Sequence, residues 1–147
     1  MRVVVQRSKF SSVSVDGNVI GKIDKGIVLL VGFEITDTEE DIDYIVKKVI
    51  GLRIFDDENG IMNKSILDVG GEVLSISQFT LQADTKKGNR PSYIKAMKGE
   101  DAIKLYDIFN ERMRKSVVVK TGKFGADMLV SIENDGPITI LIDSKNK

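Results

Sequence analysis

A proline stands inside a run that otherwise reads as continuous strand, Glu133-Asn134-Asp135-Gly136-Pro137-Ile138-Thr139-Ile140-Leu141-Ile142-Asp143. Proline has no N–H to give to a sheet ladder, so it is confined to a sheet edge, a strand's first residue or a bulge. Gly136 keeps its φ free while that of Pro137 is locked. The dipeptide separates an apolar strand at Ala126 to Glu133 from another at Ile138 to Ile142. It reads either as a tight turn between two antiparallel strands or as a turn that is itself a recognition surface.

The chain has 147 residues, the size of one domain spanning 1–147; such a chain buries roughly 68–70% of its unfolded surface. Hydrophobic residues make up 41% and charged residues 30%, which argues against disorder. No stretch approaches the ~20 apolar residues that span a bilayer, so no membrane partner is expected. The opening Met1-Arg2-Val3-Val4-Val5-Gln6-Arg7 is too short and too soon interrupted for a signal peptide. There is no cysteine, hence no disulfide framework, and a cytoplasmic location is expected.

The absence of both His and Cys removes a Ser-His-Asp triad, a cysteine nucleophile and an ordinary structural zinc site. Acid–base work would fall to carboxylates, lysine, tyrosine, backbone groups, water or the substrate, and neither cofactor nor metal is expected. Lys and Arg (22) balance Asp and Glu (22), whereas a non-specific nucleic-acid coat is strongly basic; no DNA partner is expected. Basic clusters at Lys86-Lys87-Gly88-Asn89-Arg90 and at Arg112-Met113-Arg114-Lys115 are either solvated faces or a local hold for an RNA end, and Asp37 to Asp43 is acidic.

Periodicity predicts strands at Met1 to Ser8 and Ser12 to Val15, a hairpin through Asp16-Gly17 into Val19 to Ile23, and a central strand at Gly26 to Phe33. A helix is predicted over Thr36 to Val49, with Ile42, Ile45, Val46 and Val49 on one stripe, and a second over Glu100 to Lys115, burying Ala102, Tyr106, Phe109 and Met113. Strands are predicted at Glu72 to Phe79 and Val117 to Val119, with a hairpin turn at Asp68 to Gly71. The long irregular piece Gln82 to Met97 reads as functional or mobile. The fold class is α/β: a mixed, mostly antiparallel curved sheet with helices packed on one side.

Two stretches carry candidate chemistry. In Ser75-Ile76-Ser77-Gln78-Phe79-Thr80-Leu81, strand alternation sends Gln78 and Thr80 to one side, offering an amide and a hydroxyl together. With no histidine as base, Thr80 is a poor nucleophile, and these residues also suit plain capping of backbone groups. In Thr121-Gly122-Lys123-Phe124-Gly125-Ala126-Asp127-Met128, backbone at Gly125 and Ala126 can approach a ligand beside Phe124 and Met128. An adenine face would fit there, and so would ordinary packing.

Ser77-Gln78-Phe79-Thr80-Leu81 together with Asn134-Asp135-Gly136-Pro137-Ile138-Thr139 resembles the two signature motifs of the D-aminoacyl-tRNA deacylases. Arg2 to Arg7, Leu52 to Asp57, Gly88 to Ser92 and Phe124 to Met128 follow the family pattern too, so the resemblance spans the chain. Ile138 stands where the family more usually has valine, and Ser11 and Ser12 replace a more apolar pattern. The resemblance implies a ββα three-layer fold. It also implies hydrolysis of the ester between a D-amino acid, or glycine mischarged on tRNA-Ala, and the 3′-terminal adenosine of tRNA, with L-aminoacyl-tRNA rejected. It further implies a homodimer whose active site lies at the subunit interface, where a cis Gly136-Pro137 peptide reaches into the partner's site.

On that reading Ser77, Gln78, Phe79 and Thr80 are the catalytic set, the Phe79 and Thr80 N–H groups forming the oxyanion site. Gly136, Pro137, Arg7, Gly125, Ala126, Met128 and Asn134 bind substrate, Arg7 by locking the carbonyls of the Gly-Pro wall. The attacking water is activated with help from the adenosine 2′-hydroxyl, or Thr80 acts as a covalent nucleophile. The alternative function is a non-catalytic module that binds the tRNA 3′ end.

Overall fold

The computed structural model covers Met1–Lys147. In chain order the elements are β1 (Arg2–Val15), β2 (Asn18–Ile23), β3 (Gly26–Gly32), α1 (Glu39–Gly51), β4 (Phe55–Asp56), β5 (Met62–Lys64), β6 (Glu72–Ser77), α2 (Gly99–Arg114), β7 (Val119–Thr121) and β8 (Leu129–Asp143). A 3₁₀ turn, Phe79–Gln82, follows β6.

β1 organises the sheet. The two strands expected between Met1 and Val15 are one, because Lys9 and Phe10 continue the extended chain through irregular pairing. Its first half pairs β3 antiparallel, from Arg2↔Gly32 to Ser8↔Gly26, and its second half pairs β2, from Ser11↔Ile23 to Val15↔Asn18. The intervening hairpin forms at Asp16-Gly17 as expected, both residues having positive φ (51° and 79°), the geometry that matches strand twist. Along its other edge β1 carries β8 from Arg2↔Asp143 to Ser14↔Leu129. β3 pairs β6, and β6 pairs β7, both in parallel. The sheet curls until β2 returns towards β7: a Cβ on Gly21 would sit 2.8 Å from the Thr121 carbonyl oxygen. The expected mixed, mostly antiparallel curved sheet is thus present, nearly closed on itself, in one domain.

Alternation divides the apolar run of β3 between two cores. Ile27, Leu29 and Val31 face the helices with Val3, Val5 and Val73, while Val28 faces the sheet's interior with Val13, Ile23, Leu74 and Ile76. Covering on both faces is why this strand has no polar position. From α1 come Ile42, Ile45 and Val49, and from α2 Ala102, Tyr106, Phe109 and Met113, the stripes expected from helical spacing. Burial of each of the larger side chains contributes about 1.5–3 kcal/mol. Both helices lie on the same side of the sheet.

α1 starts at Glu39 behind Thr38, the N-cap that the sequence offers, and Asp37 ahead of it is engaged elsewhere. Its carboxylate accepts from the Met1 ammonium (2.5 Å) and from the Glu34 N–H (2.7 Å), and the side chain is fully buried. Burial raises its pKa, against the lowering effect of the ammonium. Asp41 completes the knot, accepting from Ser144 Oγ (2.7 Å), Thr38 N–H (2.8 Å) and Lys145 Nζ (3.1 Å). Burial pushes the Asp41 carboxyl up, but those hydrogen bonds outweigh it and bring its pKa down to about 2.

Several expectations are corrected. Gly136-Pro137 does not turn one strand back on another, since both flanking segments pair the same strand, β1, in the same direction. The final strand begins at Leu129 and not Ala126, and the strand entering the 3₁₀ turn ends at Ser77 and not Phe79. Asp68 to Gly71 is a turn but no hairpin, because β6 pairs only in parallel. β7 is Val119–Thr121, set two residues later than Val117 to Val119, because the chain leaves α2 through a turn at Lys115 and Ser116.

A group with a depressed folded pKa stabilises the fold above its unfolded pKa and loses that contribution as pH falls through the folded value. For Asp41 the contribution is whole above pH about 4 and gone by pH about 2. Urea unfolding followed from pH 6 to pH 2 should show this acid limb in the native chain, and in Asp41→Asn the limb should be shallower from a lower starting stability.

Candidate active site

The end of β6 is a controlled change of direction. Gln78 donates its N–H to the Val31 carbonyl (2.7 Å), the last step of the β3–β6 pairing, and the chain then winds into the 3₁₀ turn. Gly32 makes this possible: a Cβ there would lie 2.6 Å from the Gln78 carbonyl oxygen and 3.0 Å from Leu81 Cβ. Two side chains hold the turn from below. Gln82 Nε2 donates to the Gly32 carbonyl (3.2 Å), and Arg2 Nη1 donates to the Leu81 carbonyl (2.9 Å).

Within the turn, Gln78 Nε2 donates to Thr80 Oγ1 at 2.5 Å. The two side chains meet as expected, though for a different reason: the 3₁₀ turn folds them together after the strand has ended. The N–H groups of Phe79 and Thr80 have no acceptor in the chain, the usual condition of the first donors of a helical turn. No carboxylate or amine hydrogen-bonds Thr80, so nothing is placed to remove its proton.

Beside this turn opens a cavity of about 600 Å³. Val31, Phe33, Ile76, Ser77, Gln78 and Phe79 form one wall. Phe124, Gly125, Ala126, Asp127 and Met128 form the facing loop, and Met97, Gly99, Ala102 and Val130 complete the lining. Most of these are apolar; Asp127 is the one carboxylate. Gly125 has a positive φ of 78° with open space where a Cβ would point, so backbone there faces the cavity unobstructed. Under the floor, Tyr106 donates its hydroxyl to the Ser75 carbonyl (2.8 Å) and packs against Phe124, centroids 5.8 Å apart. Burial raises the Tyr106 pKa, which keeps the hydroxyl a donor. No three His, Cys, Asp or Glu side chains gather where a metal could be held.

Arg7, Asn134, Gly136 and Pro137 come together elsewhere, where the ladder between β1 and β8 is interrupted. Gln6 pairs Thr139 and Ser8 pairs Asn134, so Arg7 alone faces Asp135 to Ile138, and these four residues bulge from the ladder. The Gly136-Pro137 peptide is cis. Arg7, its side chain only 10% exposed, donates from Nε to the Asp135 carbonyl (3.2 Å) and from Nη1 to the Ile54 carbonyl (2.8 Å). Asp135 and Asp56 carboxylates lie 3.4 and 3.5 Å from its guanidinium. Asn134 closes the bulge, accepting from the Ile138 N–H (3.1 Å) and donating to Thr139 Oγ1 (3.0 Å).

The structure therefore gathers Ser77, Gln78, Phe79, Gly125, Ala126 and Met128 around one cavity, with Thr80 bonded to Gln78, while Arg7, Asn134, Gly136 and Pro137 do not line it. Asp127, Phe33 and Met97 were not singled out from sequence. Asp127 sits inside the quoted Phe124 to Met128 stretch; Phe33 and Met97 carried no signal, reading as plain core and loop.

A family model described as D-Tyr-tRNA(Tyr) deacylase matches residues 4–143. The D-aminoacyl-tRNA deacylase of Clostridium novyi (strain NT) is 60% identical over 148 residues, covering 100% of this chain and 99% of its own. A solved structure of the c-Myc DNA unwinding element binding protein superposes with TM-score 0.93 at 44% identity, over 97% of this chain and 98% of that one. A structure of a probable eukaryotic D-amino acid tRNA deacylase shares the fold, with TM-score 0.82 at 17% identity over 96% and 97% of the two chains.

Arg7→Met should lower stability to urea by about 2–4 kcal/mol, since it leaves two carbonyls and two carboxylates without their charged donor. Equal urea midpoints for the variant and the native chain would show that the bulge does not depend on the guanidinium.

Proposed function

We propose that this chain, which belongs to the D-Tyr-tRNA(Tyr) deacylase family, hydrolyses the ester between a D-amino acid and the 3′-terminal adenosine of tRNA, acts in the cytoplasm, and rejects L-aminoacyl-tRNA. One observation carries the reading: a mostly apolar cavity roomy enough for an aminoacylated nucleoside, with a Gln–Thr pair and two N–H groups lacking acceptors at its rim. Ester hydrolysis needs donors aimed at the oxygen where negative charge develops, held ready before reaction.

The adenine lies against the Phe124 to Met128 loop, where Gly125 lets backbone approach and Met128 supplies an apolar face. The ester carbonyl points at the Phe79 and Thr80 N–H groups, with Ser77 and Gln78 orienting the acyl end. A water attacks the carbonyl carbon; the tetrahedral oxyanion collapses, expelling the ribose 3′-oxygen, which takes a proton to leave tRNA and the free amino acid. Thr80 already accepts from Gln78 and faces no base, which favours water over Thr80 as nucleophile. The adenosine 2′-hydroxyl, the nearest ionisable hydroxyl on the substrate, then assists that water.

Handedness is judged in trans. Two enantiomers carry the same groups, so discrimination must come from shape about Cα, and a wall that cannot move aside does this better than flexible side chains. The Gly136-Pro137 bulge is such a wall, braced by Arg7 and Asn134. Gly136 and Pro137 are exposed on β8, a strand that pairs only with β1 and also exposes Leu129 (70%) and Leu141 (62%). A second copy docked on this strand brings its bulge to the cavity, making a homodimer with shared sites. Glycine has no side chain to meet the wall, so glycyl-tRNA mischarged on tRNA-Ala is cleaved as well.

Deacylation measured side by side should be fast for D-tyrosyl- and glycyl-tRNA and at least ~100-fold slower for L-tyrosyl-tRNA, a difference of about 2.7 kcal/mol. No turnover of any of them would leave only a 3′-end binding module. Thr80→Ala should keep measurable activity, whereas tRNA ending in 2′-deoxyadenosine should be cleaved far more slowly; the reverse pattern makes Thr80 the nucleophile. For the shared site, Gln78→Ala and Gly136→Val should each be inactive, yet mixed subunits should regain about a quarter of native activity, because half the dimers then hold one intact site. No recovery on mixing places the wall in the same subunit as its cavity.

A further inference from the structure

The segment after the 3₁₀ turn extends the cavity rim outwards from Phe79. Phe79 is 56% exposed, and its ring meets Tyr93 edge to face, centroids 5.1 Å apart at 71°. Tyr93 is itself 39% exposed and its neighbour Ile94 is 80% exposed. The segment is tied down and does not hang free. Asp84 and Ser92 exchange backbone hydrogen bonds (2.8 and 2.9 Å), Ile35 donates to the Lys95 carbonyl (3.0 Å), and Met97 donates to the Phe33 carbonyl (3.0 Å). An aromatic pair held rigid yet left open to solvent is not explained by packing.

Charge marks what the surface accepts. From Thr85 to Gly99 the chain has Lys86, Lys87, Arg90, Lys95 and Lys98 and not one acidic residue, in a protein of zero formal net charge. All five cations are exposed, and none is within ion-pair distance of a carboxylate. Open aromatic faces beside unneutralised cations suit single-stranded nucleic acid: bases stack on the rings while phosphates meet the charges.

We infer that Tyr93, next to Phe79 at the cavity rim, is the stacking platform for the unpaired RNA nucleotides that precede the aminoacylated 3′ adenosine, with Lys86, Lys87 and Arg90 meeting their phosphates. The inference rests on the hydrolase reading above and adds to it the path by which the strand enters the site. Continuity gives the direction. Phe79 both lines the cavity and touches Tyr93, so a strand whose terminal nucleoside fills the cavity runs out across Tyr93 towards the basic segment.

The test compares turnover of D-tyrosyl-tRNA with that of D-tyrosyl-adenosine, which fills the cavity but has no preceding nucleotide. In Tyr93→Ala the ratio of the two kcat/KM values should fall about tenfold, as expected for loss of one base stack, and Tyr93→Phe should restore it. A ratio unchanged in Tyr93→Ala, or equally low in Tyr93→Phe, overturns the inference and leaves the hydrolase reading standing; native protein that cleaves neither ester overturns both. A second arm does not depend on turnover or on a change in the platform itself. Binding of uncharged tRNA to the double variant Lys86→Gln, Lys87→Gln should show a log K versus log salt slope shallower by about 0.7 for each phosphate that the removed charges neutralised. An unchanged slope places the strand elsewhere.

Discussion

β8 passes a residue with no N–H along the ladder of β1, and the ladder cannot close over it. The chain yields locally by expelling Asp135 to Ile138 opposite a single residue, Arg7, and resumes pairing on both sides. The guanidinium then supplies what the missing ladder cannot, donating to one carbonyl of the bulge and to one of the segment leading into β4. A bulge on an inner strand would clash with a neighbour. β8 pairs only with β1, and Gly136 and Pro137 stay exposed on it.

The same sheet positions the cavity by a different device. Parallel pairing of β3 with β6 sets the C-terminal ends of both strands side by side, where ligands commonly bind in α/β sheets. Gly32 ends β3 with no side chain, so the 3₁₀ turn can fold over it and present Gln78, Phe79 and Thr80 at the cavity rim. Gln82 and Arg2 fix that turn to β3 and β1. The cavity and the bulge are therefore both referred to β1 and β3, and each is held by the same sheet.

Much of this was legible in the residues. Helical stripes at Ile42, Ile45 and Val49 and at Ala102, Tyr106, Phe109 and Met113 located both helices, and Asp16-Gly17 located the hairpin. Strand ends were less legible, because alternation in Ser75 to Leu81 continues past Ser77 while the backbone does not. Asp37 and Asp41 read only as part of an acidic run; their partners, the Met1 ammonium and Ser144, lie 36 and 103 residues away and leave no local trace. Phe33 and Met97 likewise join the cavity only through the fold.

The order of residues by itself determined that Pro137 is confined to an edge, a strand's start, a bulge or a turn, that the chain would curl a mostly antiparallel sheet with two helices on one side, and that any hydrolysis would proceed without a histidine or cysteine of this chain. These follow from backbone donors, side-chain period and residue chemistry, all local quantities. Only the tertiary structure decided that the two flanks of Gly136-Pro137 share one partner strand, that Arg7 grips the bulge between them, and that the bulge stands apart from the cavity on the same subunit. Those facts depend on which strands become neighbours, and pairing between distant segments is settled by the energy of the whole sheet.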